Sequence, residues 1–530
     1  MRCHRVLLVT CLLVLAAPAA ASAGFVQRSG TNLSLDGSAF RFVGHNNYQL
    51  TSVAGQFSCG RALDGAMVDR VLQDAKDAGA TVIRTWFFQS FYRGAGNSYA
   101  PFDRVLDKAA AKGLKVIPVL VNHYPDCEPS GARRKDEGFY DYGYKTAGWG
   151  YPQSFKDYAY NLASRYRNNA TIAFWQIVNE AETSWSGGCN TTIEANGHQR
   201  AANVLRRFVD DMGGAIHAAA PNHRVSLGTI GTGQCGAAGS EYRYVHESAG
   251  SDICEDHDYD RATQPMPGDP YNGLALRVSQ CNAIGKPMLI GESGIVADVD
   301  SGGGSSGSIT ATTLQRRADF FAAKLNAAFD SGIDGYLLWE KSADASGSAY
   351  NLDHGRYGIG PSDPLNSVTL AKARQLTAGG AGGGGTVGGG STVRADFEDG
   401  TPQSWEPAWG SLALANSTDQ HVAGTRSLKL SFSNGWPAAR MRTTTGATAG
   451  TTITFRVLRP ASAPANLGVL PFVSDSGWAN SYGPETSLAA GWNTVTYTVP
   501  TGVRAPLQAI GLQVADHGWA GSLYVDNVAW

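Results

Sequence analysis

The stretch FWQIVNEAET, residues 174–183, starts as a buried strand and ends in an amide and two carboxylates. Phe174, Trp175, Ile177 and Val178 suit a core, whereas Asn179 and Glu180 are groups that a core rejects unless they are paired. A strand that delivers such groups at its carboxyl end belongs to an architecture that uses strand ends for chemistry. Seven further β-rich runs share this form: RFVGHNNY (41–48), TVIRTWFF (81–88), KVIPVLVNHY (115–124), RVSLGTIG (224–231), DICEDHDYD (252–260), PMLIGESG (287–294) and GYLLWEK (335–341). Between many of them lie segments with helical apolar spacing, such as MVDRVLQDAKDAGA and FDRVLDKAAAKGL, several closing in Ala-Gly, Lys-Gly or Ser-Gly. Eight strands alternating with helices predict an α/β fold, a (β/α)8 barrel over residues 24–377 with its reactive groups at the carboxyl rim.

The ends of the chain's first domain are marked by composition. MRCHRVLLVTCLLVLAAPAAASAG pairs basic residues with a short apolar run and a small-residue cleavage signature at Ala21-Ser22-Ala23, so residues 1–23 read as a secretory signal peptide. Export agrees with the six remaining cysteines, Cys59, Cys127, Cys189, Cys235, Cys254 and Cys281, an even set with no CxxC spacing. They predict disulfides rather than a metal site, with the pairing left open. A formal charge of -2 with scattered Lys and Arg offers no footprint for nucleic acid or an acidic membrane, and no later segment is apolar enough to span a bilayer. The expected partner is neutral, and the expected state a monomer.

At the rim, the strand ends supply Asn46 and Asn47, Arg84, Asn122 with His123, Asn179 with Glu180, His257 with Tyr259, Glu292, and Trp339 with Glu340. Glu180 after the fourth strand and Glu292 after the seventh would face each other across the mouth. Such a pair suits glycoside cleavage: one carboxyl gives a proton to the leaving oxygen while the other, ionised, attacks the anomeric carbon. Asn179 is placed to bond a sugar 2-hydroxyl, Arg84 to keep a carboxylate charged, and Trp339 to floor a sugar ring. Glu182, Glu255, Asp256, Asp258, Asp260 and Glu340 are competing acids; strand termination favours Glu180 over Glu182. The insertion at 126–152 carries Tyr140, Tyr142, Tyr144, Trp149 and Tyr151, which serve either as sugar platforms or as the loop's own packing.

The set VIRTW, VNHY, QIVNE, HDY, LIGES and LLWE, in this order along the chain, resembles the retaining glycoside hydrolases of clan A, most of all family 5, the cellulase and mannanase family. The resemblance implies Glu180 as acid/base and Glu292 as nucleophile, with Arg84, His123, Asn179, His257 and Tyr259 in support and no catalytic cofactor. Ala181 stands where the family often has Pro, and Ser293 where it often has Phe. VIRTWFF resembles β-mannanases more than many cellulases. The implied activity is an endo-β-glycanase on β-1,4-mannan or glucomannan. The alternatives are a β-1,4-glucanase, an exo-acting glycosidase of the same clan, and a non-catalytic polysaccharide-binding protein.

AGGAGGGGTVGGGS, residues 378–391, has nothing to bury and reads as a flexible linker. Residues 392–530 then show short alternating runs and turn residues without a helix-length amphipathic segment, predicting an antiparallel β-sandwich. DFEDGT, GTRSLK and YVDNV resemble β-sandwich carbohydrate-binding modules. That resemblance makes Asp396, Glu398 and Asp526 candidates for a structural calcium. This short domain holds seven of the twelve tryptophans, more than its core requires. Trp436 and Trp478, among turn residues, are the expected sugar platforms, and Trp492 and Trp530 the expected core.

Overall fold

The alternation of apolar runs with amphipathic segments resolves into a ring of parallel strands inside a layer of helices. The computed structural model describes residues 24–530 apart from 54–58, 60–61, 131, 185–187, 260–267, 299–308, 342–356, 381–392, 423–424, 434, 443 and 445–446. The expected signal peptide and most of the expected linker therefore lie outside the described residues. The barrel strands are β1 (Phe42–Asn46), β2 (Val82–Trp86), β3 (Lys115–Val119), β4 (Phe174–Gln176), β5 (Arg224–Ser226), β6 (Cys254–Asp258), β7 (Met288–Ser293) and β8 (Gly335–Leu338). They pair in the order β5-β4-β3-β2-β1-β8-β7-β6, and a parallel bridge between Ser226 and Ile253 joins β5 to the start of β6, closing the ring. Each run anticipated from the sequence contains one of these strands.

Period-two alternation assigns each strand an inward row. At the amino ends the inward residues are apolar: Phe42, Val82, Ile117, Phe174, Ile253, Leu289 and Leu337 cluster with Val26 and Leu33 of an antiparallel amino-terminal segment. Two to four positions later the same rows turn polar, through Asn46, Arg84, Gln176 and Glu255. In β7 the register shifts between Ile290 and Glu292 against β6. This bulge brings Glu292 to the inside directly after Gly291, where strict alternation would turn it away. Gly291 has a matching reason to lack a side chain, because a Cβ there would meet Glu255 Oε1 at 1.8 Å.

The six cysteines form Cys59–Cys127, Cys189–Cys235 and Cys254–Cys281. The first ties residue 59, beyond β1, to the loop after β3. Helix Leu365–Gly380 continues three residues past the expected domain end at 377. Among the described residues no helix is long and apolar enough to cross a membrane.

The carboxyl-terminal part contains two six-stranded antiparallel sheets. One orders Leu412–Ser417, Ser427–Phe432, Gly521–Ala529, Thr452–Arg459 and Gly491–Thr498, with Val393–Ala395 on Gly521–Ala529. The other orders Trp405–Trp409, Ala438–Met441, Ala509–Ala515, Gly468–Ser474 and Asn480–Tyr482, with Thr486–Ser487 on Gly468–Ser474. Between them lies one apolar cluster that includes Trp405, Phe455, Val469, Leu512, Leu523 and Trp530, as a sandwich requires.

Candidate active site

Arg84 organises the mouth. Its guanidinium is fully buried and donates from Nη1 to Glu292 Oε1 (2.6 Å) and Asn46 Oδ1 (2.9 Å), from Nε to Gln176 Oε1 (2.7 Å), and from Nη2 to Asn179 Oδ1 (2.6 Å). The ring of Trp86 lies 4.7 Å away. A buried charge is tolerated only with this density of partners, and the fork of Arg suits several at once. Asn179 in turn donates to Asn122 Oδ1 at 3.0 Å, so its amide orientation is set on both sides.

Glu292 accepts a second bond at Oε2 from the Tyr259 hydroxyl (2.8 Å). His257 bridges the two principal acids: Nδ1 is 2.8 Å from Glu180 Oε1 and 3.6 Å from Glu292 Oε2, while Nε2 lies 3.4 Å from Glu255 Oε1. One oxygen of Glu180, one of Glu292 and a nitrogen of His257 all fall within 4.8 Å of one another. Burial works against a charged imidazole, but Glu292 and the hydrogen bonds to Glu180 and Glu255 outweigh it and raise His257 to about 10. For Glu180, burial pushes upward, yet hydrogen bonds from His257 and Tyr124 and the charge of Arg84 carry its carboxyl below the usual range. At rest the proton of this pair therefore sits on His257. Glu340, fully buried and near the charge of Glu292, is pushed well above the carboxylate range.

Residues 45–328, more than half of the chain, match the family described as Cellulase (glycosyl hydrolase family 5). The chain belongs to glycosyl hydrolase family 5. Among curated relatives it is similar to the probable mannan endo-1,4-beta-mannosidase C of Aspergillus terreus, 27% identical over 238 residues that cover 39% of this chain and 55% of that protein. It is also similar to the mannan endo-1,4-beta-mannosidase F of Aspergillus fumigatus, 25% identical over 316 residues, 52% of this chain and 65% of that protein. The chain thus spans between half and two thirds of the length of these two relatives. Among solved structures, the endo-1,4-beta-mannanase of Rhizomucor miehei aligns with a TM-score of 0.49 and 20% identity, covering 67% of this chain and 100% of that one.

Within this family 5 barrel, six of the eight residues anticipated from the sequence converge: Arg84, Asn179, Glu180, His257, Tyr259 and Glu292. Trp339 stands at their edge, partly buried, with Tyr48 at 6.1 Å and Trp86 at 6.0 Å between ring centroids. His123 has a set of contacts of its own. It meets the Tyr140 hydroxyl (3.2 Å), Arg134 Nε (2.6 Å) and Glu182 Oε1 (3.4 Å), so it supports the rival acid and not the Arg84 cluster. Glu182 is held below the usual carboxylate range: burial raises it, but His123, Ser184 and Arg134 more than compensate. Sequence reasoning missed Gln176, Tyr124 and the part played by Glu255. The signal for Gln176 was available, since it is the one polar residue on the inward row of β4.

The insertion's aromatics pack. Tyr140, Tyr144 and Tyr151 are buried, Trp149 lies under Arg133 (3.9 Å) and against Phe139, and Tyr142 alone of the five is exposed. In the sandwich, Trp436 and Trp478 are 38% and 44% exposed, unlike Trp405 and Trp530 in the core. The Trp478 ring lies 5.0 and 4.9 Å from the guanidiniums of Arg440 and Arg442, both of which bond Glu406. Trp492, expected in the core, is only partly buried and lies outside the apolar cluster.

The proposed calcium ligands do not form one set. Asp396 accepts from Gln403 and the Glu398 N–H. Glu398 takes the N–H groups of Thr425 and Arg426, and Asp526 those of Val422 and Asn527. Among the described residues the one cluster of three such groups within ligating reach is Glu180, His257 and Glu292.

Proposed function

We propose that this chain is a secreted, retaining endo-β-glycanase acting on β-1,4-mannan or glucomannan, with Glu292 as nucleophile and Glu180 as acid/base. The carrying observation is the separation of these carboxylates. Oxygens within 4.8 Å suit double displacement, for which the carboxyl groups stand about 5 to 5.5 Å apart, better than inversion, for which they stand about 6.5 to 9.5 Å apart.

Arg84 and Tyr259 hold Glu292 as an anion aimed at the anomeric carbon. A sugar entering the mouth displaces water, and desolvation favours the neutral form of Glu180. The shared proton then moves from His257 Nδ1 to Glu180 and on to the leaving oxygen as Glu292 attacks. Glu180, ionised again, takes a proton from the water that cleaves the glycosyl ester. Asn179, fixed by Arg84 and Asn122, faces the 2-hydroxyl, where contacts strengthen as the ring flattens. Trp339, with Tyr48 and Trp86 behind it, supplies the apolar floor.

Mannan is favoured over β-1,4-glucan by the names of the curated relatives. The non-catalytic reading is disfavoured by the intact, fully supported carboxylate pair. Export is supported by the leader sequence and three disulfides. The region from 392 onward reads as a separate module that grips the polysaccharide through Trp436 and Trp478, tethered by the Gly-rich stretch 378–391. A structural calcium on Asp396, Glu398 and Asp526 together does not suit their contacts, because each carboxylate is engaged by its own N–H donors. Product analysis on mannan, glucomannan, cellulose and xylan tests the substrate: short manno-oligosaccharides from internal cleavage are expected, and release of cello-oligosaccharides alone would replace mannan with glucan.

A further inference from the structure

The outer face of an antiparallel sandwich sheet meets water and is ordinarily polar. On the sheet that contains Gly521–Ala529 this pattern fails along one line. In Ser427–Phe432 the core side is Leu428, Leu430 and Phe432, which turns Lys429 outward, and in Gly521–Ala529 Leu523 and Val525 face the core, which turns Tyr524 outward. The register sets Lys429 opposite Tyr524, Tyr524 opposite Leu458 and Leu458 opposite Trp492. Four adjacent strands therefore carry Lys429, Tyr524, Leu458 and Trp492 as one transverse row, about 14 Å long at the usual strand spacing. Tyr524, Leu458 and Trp492 all lie outside the apolar cluster between the sheets. Lys429, Tyr524 and Leu458 border a cavity of about 740 Å³ whose walls are residues 459–462 and 519–522, Trp519 among them. Ligand sites are of this size. At one end of the row Asp419 Oδ2 accepts from Lys429 Nζ (2.9 Å) and from the Tyr524 hydroxyl (3.3 Å), fixing both polar tips.

We infer that this row is a second polysaccharide-binding face of the sandwich, on the sheet opposite Trp436 and Trp478, which flank strands of the other sheet. The inference rests on the reading of residues 392–530 as a polysaccharide-binding module. Lys429 is balanced by Asp419, and the other charge at the cavity, Arg459, is spent on the carbonyls of Ala463 and Pro464, so the groove suits an uncharged ligand. Its walls admit an extended chain and exclude a flat protein surface. Tyr524, Leu458 and Trp492 give apolar contact to the C–H faces of the sugars, Lys429 donates to their oxygens, and Asp419 accepts from their hydroxyls. Two faces on opposite sheets let one module hold two polymer chains, and the second engagement is strengthened by effective concentration.

The test measures retention on insoluble glucomannan of the full-length enzyme carrying Glu292→Gln, so that the polymer stays intact. Trp492→Ala and Lys429→Ala, added singly, are each expected to lower the association constant about three- to tenfold. Either one, combined with Trp436→Ala and Trp478→Ala, is expected to lower it further than those two do alone. The Lys429 side chain is 31% exposed, so its variant reports on the face even where Trp492→Ala fails to fold. Unchanged retention in Lys429→Ala and in folded Trp492→Ala, with loss confined to Trp436→Ala and Trp478→Ala, would overturn the second face and leave the module reading intact. Retention that none of these four substitutions alters would overturn both. Sedimentation of the same proteins covers a different occupant: a dimer that Lys429→Ala or Trp492→Ala converts to monomer, with retention unaltered, would make the row a contact between copies and overturn the inference.

Discussion

The two ends of the barrel are built on the same strands and do opposite things. At the amino end the inward rows are Phe42, Val82, Ile117, Phe174, Leu289 and Leu337, sealed by Val26 and Leu33. Two to four residues on, the same rows hold Asn46, Arg84, Gln176, Glu255 and His257, and the β7 bulge adds Glu292. Both ends are almost wholly buried, so burial does not separate them. The apolar end gains free energy by leaving water, whereas at the polar end each group must be matched by a partner before the fold can hold it. That end stores a fixed charge pattern at some cost in stability. Function and stability are thus divided along each strand and not between strands.

Substitutions can break this division. The largest effect is expected at the rim. Glu292→Gln and Glu180→Gln should lower polysaccharide turnover by at least about 10² to 10⁴-fold, with thermal unfolding still a single cooperative transition; near wild-type turnover in Glu292→Gln together with a collapse in Glu182→Gln would reassign the acids. At the opposite end, Phe42→Ala removes an aromatic ring that is 1% exposed and should cost about 3 to 5 kcal/mol in chemical denaturation while turnover per folded molecule stays at wild type.

A smaller effect is expected from pH. The His257 pKa is raised on folding, from 6.5 to about 10. Its contribution to stability is therefore complete below about pH 6.5 and lost as pH rises through about 10. Thermal unfolding of wild type should weaken across that window, and His257→Asn should flatten the slope; an equal slope in the variant would show that the imidazolium is not what holds the acids together. Smallest of all, Trp436→Ala with Trp478→Ala should reduce retention on insoluble glucomannan several-fold and leave turnover of soluble oligosaccharide unchanged, as expected for a tether acting through effective concentration. Unaltered retention would remove these rings from the proposed binding face.

Much of this was legible in the chain because strand ends announce themselves: a period-two apolar run that stops at Asn179-Glu180 or Glu292 carries polar groups to the one place in a barrel where they can meet a ligand. The sandwich was equally readable from its short alternating runs. What stayed hidden depended on contacts in three dimensions that no local pattern carries. Glu255 sits inside a strand, where a polar residue is read as a defect unless its partner, here His257, is already in view. The β7 bulge at Ile290–Glu292 changes the phase of the strand, and its one local mark is Gly291. His123 lies at a strand end like its neighbours, yet the insertion's Arg134 and Tyr140 draw it to Glu182. The aromatic residues of that insertion showed only composition, and three disulfide pairings could be found only once Cα atoms met.

The central claim is that Glu180 and Glu292 act as a close pair by double displacement, and the anomeric configuration of the first-formed product tests it most directly. Proton NMR of wild-type enzyme and a soluble β-1,4-manno-oligosaccharide, recorded before mutarotation, should show the β-anomer accumulating first and relaxing later to the equilibrium mixture. Initial accumulation of the α-anomer would contradict the account, since inversion goes with carboxyl groups about 6.5 to 9.5 Å apart, whereas an oxygen of Glu180 and one of Glu292 lie within 4.8 Å of each other.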